Sequence, residues 1–309
     1  MTISMTADRL VGLTADFPTR PMPPALRGAR SDVLAAAREL ASIADDRLTV
    51  PWTWRGGSEE ELRYGFYRIA ESFELASIEA ADALRANGIV RGRAGDLIAP
   101  ATAARWDLGG LLETLTPSDW DADPGGGEWS IRQTIGHVVS SQRGYGVGTA
   151  WWASQRFRAD DPALPRATPD ELREGLPSEE DDALGTPAEI RERLDELLDL
   201  SAERLAALDA DRLAAGGRWS GFPVDVAFRL GRWSSHMREH TIQVEKTLVL
   251  LRRNPTEVQR LVRLVLAAWG RAEAVVYGAA DADAAIAILA DAAAGARATA
   301  AEVVATAAV

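Results

Sequence analysis

The 309-residue chain contains no cysteine. Disulfides, thiolate metal ligands and a cysteine nucleophile are thereby excluded, which leaves histidine and carboxylate as the side chains able to hold a transition metal. Histidine is itself scarce, with three residues in all, and Lys246 is the only lysine. The formal charge of −12 lacks the clustered positive charge needed for non-specific binding to nucleic acid or to an anionic membrane. No uninterrupted apolar run reaches membrane-spanning length, because even the alanine-rich stretch from Asp283 carries charges at intervals. The first residues, MTISMTADRLVGL, lack the basic-then-apolar layout of a signal peptide. The expectation is a cytoplasmic protein whose partner is a small molecule, with no nucleic acid and no membrane, and which is compatible with a homodimer.

Hydrophobic residues make up 47% of the chain and charged ones 26%, the balance of a globular protein with a substantial core. Apolar spacings of three and four residues predict helices nearly throughout, and the fold class expected is all-α. The first helix is expected over about 29–46. A second opens at Ser58 as N-cap, with Glu59, Glu60 and Glu61 in its first turn, and stops at Gly88. A third spans 99–115. Ser130 caps a helix that carries His137 to about residue 157. The proline- and acid-rich stretch that follows reads as a long crossover or lid. Pro187 opens a helix to about 208, and Pro223 opens a long one to about 253. Two more are expected near 255–277 and 281–306.

The domains expected are an N-terminal helical extension over 1–98, a four-helix bundle over 99–253, and a C-terminal helical pair over 254–309. The flanking pairs either form a second four-helix layer together or cap opposite ends of the first.

Two of the three histidines lie in "SSHMREHTIQV". Residues four apart on an α-helix are rotated by about 40° and displaced by one turn, so His236 and His240 point to the same place. Their stripe continues with Arg232, Gln243 and Thr247, an odd composition for a core face unless it lines a pocket. The upstream helix has a matching stripe of Ser130, Gln133, His137, Ser140, Ser141 and Gly144, while Ile131, Ile135, Val138 and Val139 supply its packing. Facing each other, the two stripes make a three-nitrogen site with a divalent ion as its natural occupant. Zinc comes first, and nickel and iron suit the same donors. Three neutral imidazoles leave at least one coordination position open, which is the catalytic pattern. Around it Arg232 is the candidate to grip a substrate carboxylate. Gln243 and Ser140 are candidates to orient polar groups. Trp129 is a candidate substrate contact, with packing as its competing role.

"EWSIRQTIGHVV" and "SSHMREHTIQV" together resemble the signatures of the DinB-like family in order and separation, over residues 99–253. The resemblance implies a four-helix bundle with a long crossover that holds a divalent metal on His137, His236 and His240. Characterised members of that family include mycothiol-dependent maleylpyruvate isomerase, bacillithiol and mycothiol S-transferases, and the N-terminal part of ergothioneine-forming sulfoxide synthases. The activity implied is a thiol-dependent S-transferase or isomerase, with mycothiol or a similar thiol as cosubstrate. No catalytic residue beyond the metal set follows from the resemblance.

Two alternatives stand beside this reading. One is a metal-dependent hydrolase with Glu239 as base. The other is a non-catalytic, metal-stabilised protein that binds small molecules. "HMREH" also matches the H-x-x-E-H string of inverted zincin proteases, which would make Glu239 catalytic and require a distant third ligand such as Glu302. That match leaves His137 without a role.

Overall fold

The computed structural model describes residues 2–164 and 169–308. Twelve helices account for most of them: α1 (Thr2–Leu13), α2 (Pro24–Ala41), α3 (Tyr64–Ala86), α4 (Arg93–Glu113), α5 (Pro117–Asp121), α6 (Ile131–Gln155), α7 (Glu179–Asp182), α8 (Pro187–Leu205), α9 (Ala210–Leu213), α10 (Val226–Leu250), α11 (Glu257–Val276) and α12 (Asp283–Ala307). The fold is all-α, with a core helical bundle and additional N- and C-terminal helices.

The bundle consists of α4, α6, α8 and α10. Its core is built from the apolar stripes of these helices, including Ile98, Ile135, Val139, Leu197, Leu230 and Val244, with Leu10 of α1 sealing one flank. Each such side chain removed from water stabilises the fold by about 1.5–3 kcal/mol. The N- and C-terminal pairs share a second core, with Val33 and Leu40 of α2, Phe66 and Phe73 of α3, Val265 and Trp269 of α11, and Leu289 and Ala293 of α12. By length and composition alone α12 is long and apolar enough to cross a membrane. Here Ile286, Leu289, Ala296, Ala300 and Val303 are buried in that second core.

A buried polar hub ties the two cores together. Glu273 of α11 is inaccessible to solvent. One of its oxygens accepts from Arg30 Nη2, Thr102 Oγ1 (2.8 Å) and Arg105 Nη2 (3.1 Å). The other accepts from Arg30 Nε (2.9 Å), Trp106 Nε1 (2.9 Å) and Trp269 Nε1 (3.0 Å). Asp199 of α8 accepts from Arg30 Nη1 at 2.6 Å and Arg105 Nη1 at 2.9 Å, and Asp195 lies 3.4 Å from Arg105 Nε. Helices α2, α4, α8 and α11 thus meet at one centre of interleaved charges.

Several local expectations are corrected. Ser58 caps no helix: Glu59–Glu61 is a strand (β2) paired antiparallel with Pro51–Thr53 (β1). Arg55 and Gly56 reverse the chain with φ of 51° and 69°, and buried Trp52 anchors the hairpin, so helix α3 starts only at Tyr64. Pro223 opens no helix either, because it lies in β4 (Phe222–Asp225), paired with β3 (Gly216–Trp219). The connecting Ser220 and Gly221, with φ of 49° and 84°, have the two positive angles of a tight hairpin turn. Asp225 then caps α10 by accepting from the Phe228 amide at 2.7 Å. Gly217 is required in β3, since a Cβ there would lie 2.0 Å from the Trp152 ring. Helix α4 begins at Arg93, not 99, and runs through Pro100, because Ala94, Ile98, Ala101 and Thr102 are buried on both sides of it. Helix α2 runs from Pro24 to Ala41 rather than over 29–46.

Candidate metal centre

Helix α6 starts at a reciprocal cap. Ser130 Oγ accepts from the Gln133 amide, and the Gln133 side chain accepts from the Ser130 amide. The cap sets the helical phase. Ile131, Ile135, Val138 and Val139 then face the core, and His137 turns towards α10 with its side chain 26% exposed. On α10 the apolar ridge of Leu230, Trp233, Met237 and Val244 does the same for His236, which is buried, and His240, which is partly so.

The three imidazoles converge, with one ring nitrogen from each lying within 4.8 Å of the others. His240 Nε2 is 3.0 Å from His236 Nε2, and the His137 ring centroid is 4.8 Å from that of His240 and 5.4 Å from that of His236. Among the described residues no further histidine, aspartate or glutamate joins the cluster.

The outward nitrogens of His240 and His137 are fixed by partners. His240 Nδ1 lies 2.7 Å from Gln243 Oε1, and because an amide oxygen only accepts, Nδ1 carries the proton and Nε2 keeps its lone pair. His137 Nδ1 lies 2.9 Å from Glu179 Oε2, the carboxylate–imidazole pairing that orients a ligand and raises its basicity. The donor set therefore fits a divalent ion: three convergent ring nitrogens, two of them on imidazoles held from behind. His236 Nδ1 is buried without a partner among the described residues.

Glu179 belongs to α7, in the segment read from sequence as a crossover or lid. This part of the segment is pinned. Asp182 is buried and forms a two-pronged ion pair with Arg143 of α6. Arg132 donates to Ala183 O at 2.9 Å and Gly185 O at 2.7 Å. Gly136 permits the approach, since a Cβ there would lie 2.7 Å from that of Ala183. The S-x-x-D string from Ser178 to Asp181 is a capping signature visible in the sequence, but which histidine it serves is not.

Arg232 points both Nη atoms at Glu239, each 2.6 Å from a carboxylate oxygen. The hydrogen bonds from Arg232 hold Glu239 below the usual carboxylate range, which weakens it as a base. Glu302 lies on α12, outside the histidine cluster. Trp129 is 37% exposed, with its ring 5.2 Å from that of His137, whereas Trp233 is buried packing. Ser140 and Ser141 line a cavity of about 360 Å³ on the α6 side, together with Tyr145 and Arg229. Ser141 Oγ is 3.4 Å from His137 Nε2, and the Tyr145 ring is 5.2 Å from that of His236, so the cavity abuts the cluster. Nothing in the sequence placed Tyr145 or Arg229 there. Tyr145 lies four residues beyond Ser141 and Arg229 seven before His236, but only the packing of α6 on α10 makes them neighbours.

Burial, with His240, Arg232 and His137 nearby, pushes His236 down to about 3, and burial lowers His240 as well. In metal-free protein the unfolded chain, titrating near 6.5, takes up these protons first. Stability then falls as pH drops from about 6.5 towards 3, by up to about 1.4 kcal/mol per pH unit for each depressed histidine. Thermal unfolding of metal-free wild type and His236→Gln between about pH 7 and pH 4 checks this. The variant is expected to show the shallower slope, and parallel curves would contradict it.

Gln243→Leu removes the acceptor behind His240 and is expected to weaken metal binding about 10- to 100-fold. Competition with a chromophoric chelator measures that loss, and an unchanged affinity would remove Gln243 from the site.

Residues 100–244 match the family model described as the DinB superfamily. The matched stretch contains all three histidines, and the bundle has a DinB-like superfamily fold. No curated protein and no solved structure matches the chain.

Proposed function

We propose that the chain is a metal-dependent enzyme that uses a low-molecular-weight thiol, as an S-transferase or isomerase. The observation that carries this is the three-imidazole cluster with no fourth protein ligand among the described residues, opening beside a cavity. His137, His236 and His240 would hold the ion, zinc first and nickel or iron next. Bound there, a divalent ion supplies the charge that makes a thiol acidic at neutral pH. With no cysteine in the chain, the thiol comes as a cosubstrate.

The chain's own groups have separable tasks. Gln243 and Glu179 fix the proton on the outer nitrogens of His240 and His137, so that the inner nitrogens remain donors. Burial raises the Tyr145 hydroxyl, which keeps its proton at neutral pH and can donate it to a polar group entering the cavity. Ser140 and Ser141 offer hydroxyls on the same wall. Glu239, held by Arg232, is poorly suited to proton abstraction, so the hydrolytic alternative that relies on it loses its base.

The test is turnover of metal-loaded protein with mycothiol, bacillithiol or glutathione and an electrophile such as monochlorobimane. Metal-dependent thioether formation with one of these is expected. Rates equal to the blank with all three would exclude the transferase reading.

A further inference from the structure

The wall of the cavity beside the histidines contains an arginine with no acid. Among the described residues the buried arginines are all paired, Arg30 and Arg105 with Glu273 and Asp199 and Arg143 with Asp182, whereas Arg229 is half-buried. Arg229 has no carboxylate or carbonyl partner among the described residues, and its Nε and Nη1 are shielded from solvent without a hydrogen bond. Its guanidinium carbon sits 4.1 Å from the centroid of the Tyr145 ring and 5.3 Å from that of Trp152, so the aromatic faces hold it in place but satisfy none of its donors. Burial lowers its pKa to about 10, and it remains charged at neutral pH. A shielded cation with unused donors is costly unless something completes it.

We propose that the cavity lined by Ser140, Ser141, Tyr145, Arg173 and Arg229 binds a small organic carboxylate, and that Arg229 pairs with it. The planar guanidinium matches a carboxylate in a two-pronged fork. Arg173, exposed at the rim, adds a second positive charge, and no acid lines the cavity. The volume of about 360 Å³ suits a metabolite-sized ligand. Ser141 and Tyr145 touch both the cavity and the histidine cluster, so a ligand seated on Arg229 extends towards the cluster. The task assigned from sequence to Arg232 thus falls to Arg229, since both Nη atoms of Arg232 are already on Glu239. This names the substrate class for the proposed function and rests on that reading only for what happens at the cluster; the carboxylate subsite itself needs no metal.

The test is calorimetric titration of the full-length chain, as isolated and after chelation, with succinate and with inorganic phosphate at neutral pH. Succinate is expected to bind saturably in both forms, and Arg229→Gln to weaken it by about tenfold or more. Persistence after chelation separates this subsite from attraction to a bound ion. A metal-free preparation that still binds succinate would leave the inference standing even if the metal reading fails. Absence of saturable succinate binding, equal affinity in Arg229→Gln, or binding of phosphate alone would overturn it. If Arg229→Gln does not give the wild-type circular dichroism spectrum, protection of wild-type Arg229 from phenylglyoxal by succinate, mapped by peptide mass spectrometry, decides the matter. Protection supports the pairing, and unchanged modification overturns it.

Discussion

His137→Ala is expected to strip the protein of its metal while leaving it folded. His137 is the one nitrogen that α6 contributes, and without it α10 supplies only the pair His236 and His240. Two imidazoles on one helix cannot enclose an ion, so the loss should exceed the 10- to 100-fold typical of removing an outer partner. The fold should tolerate the change, because the His137 side chain is 26% exposed and the packing of α6 rests on Ile131, Ile135, Val138 and Val139. Elemental analysis of wild type and variant purified side by side, with circular dichroism as the folding control, measures it. Equal metal content in the two proteins would mean that the three histidines do not share an ion.

Glu273→Gln is expected to be the most damaging single change outside the site, destabilising the fold by about 3–5 kcal/mol. Burial alone would raise the carboxyl, but the charges of Arg30 and Arg105 outweigh it and hold Glu273 below its usual range. The amide is nearly the same size, so no cavity is made. It removes the negative charge, and its NH2 turns one accepting position into a donor that faces other donors. Arg30 then remains buried with only Asp199 as counter-charge, and Arg105 with Asp199 and the more distant Asp195. The comparison is Glu74→Gln, which breaks an exposed pair with Arg271 and is expected to cost within about 0.5 kcal/mol. Urea unfolding midpoints read both. Equal midpoints would show that the hub adds nothing to stability. Because Glu273 joins α11 to α2 and α4, the change should also loosen the second core from the metal-bearing bundle.

The metal-bearing helices were legible in the sequence because their information is local. A Ser130 cap, period-3.6 apolar positions and an i,i+4 histidine pair are properties of one helix at a time, and the structure keeps α6 within two residues and α10 within three of the expected ends. The hairpins were less legible. "WSGF" in fact carries the signal of a two-residue turn, but Pro223 looked equally like a helix opener, and Ser58 followed by three glutamates looked like a cap. Buried Trp52 and the contact of Gly217 with Trp152 decided these in favour of strands, by packing across distant segments.

The sequence by itself determined that any metal site must be built from histidine and carboxylate, that three histidines lie on two helices with matching polar stripes, and that the fold is helical. Composition and helical periodicity suffice for that. Tertiary structure decided which groups stand behind and beside those histidines. Glu179 reaches His137 from 42 residues away, Arg232 is engaged by its own helix neighbour Glu239, and Arg229 is left without an acid beside the cavity. Charge pairing in a folded protein depends on which side chains share a desolvated space, and spacing along one chain does not encode that.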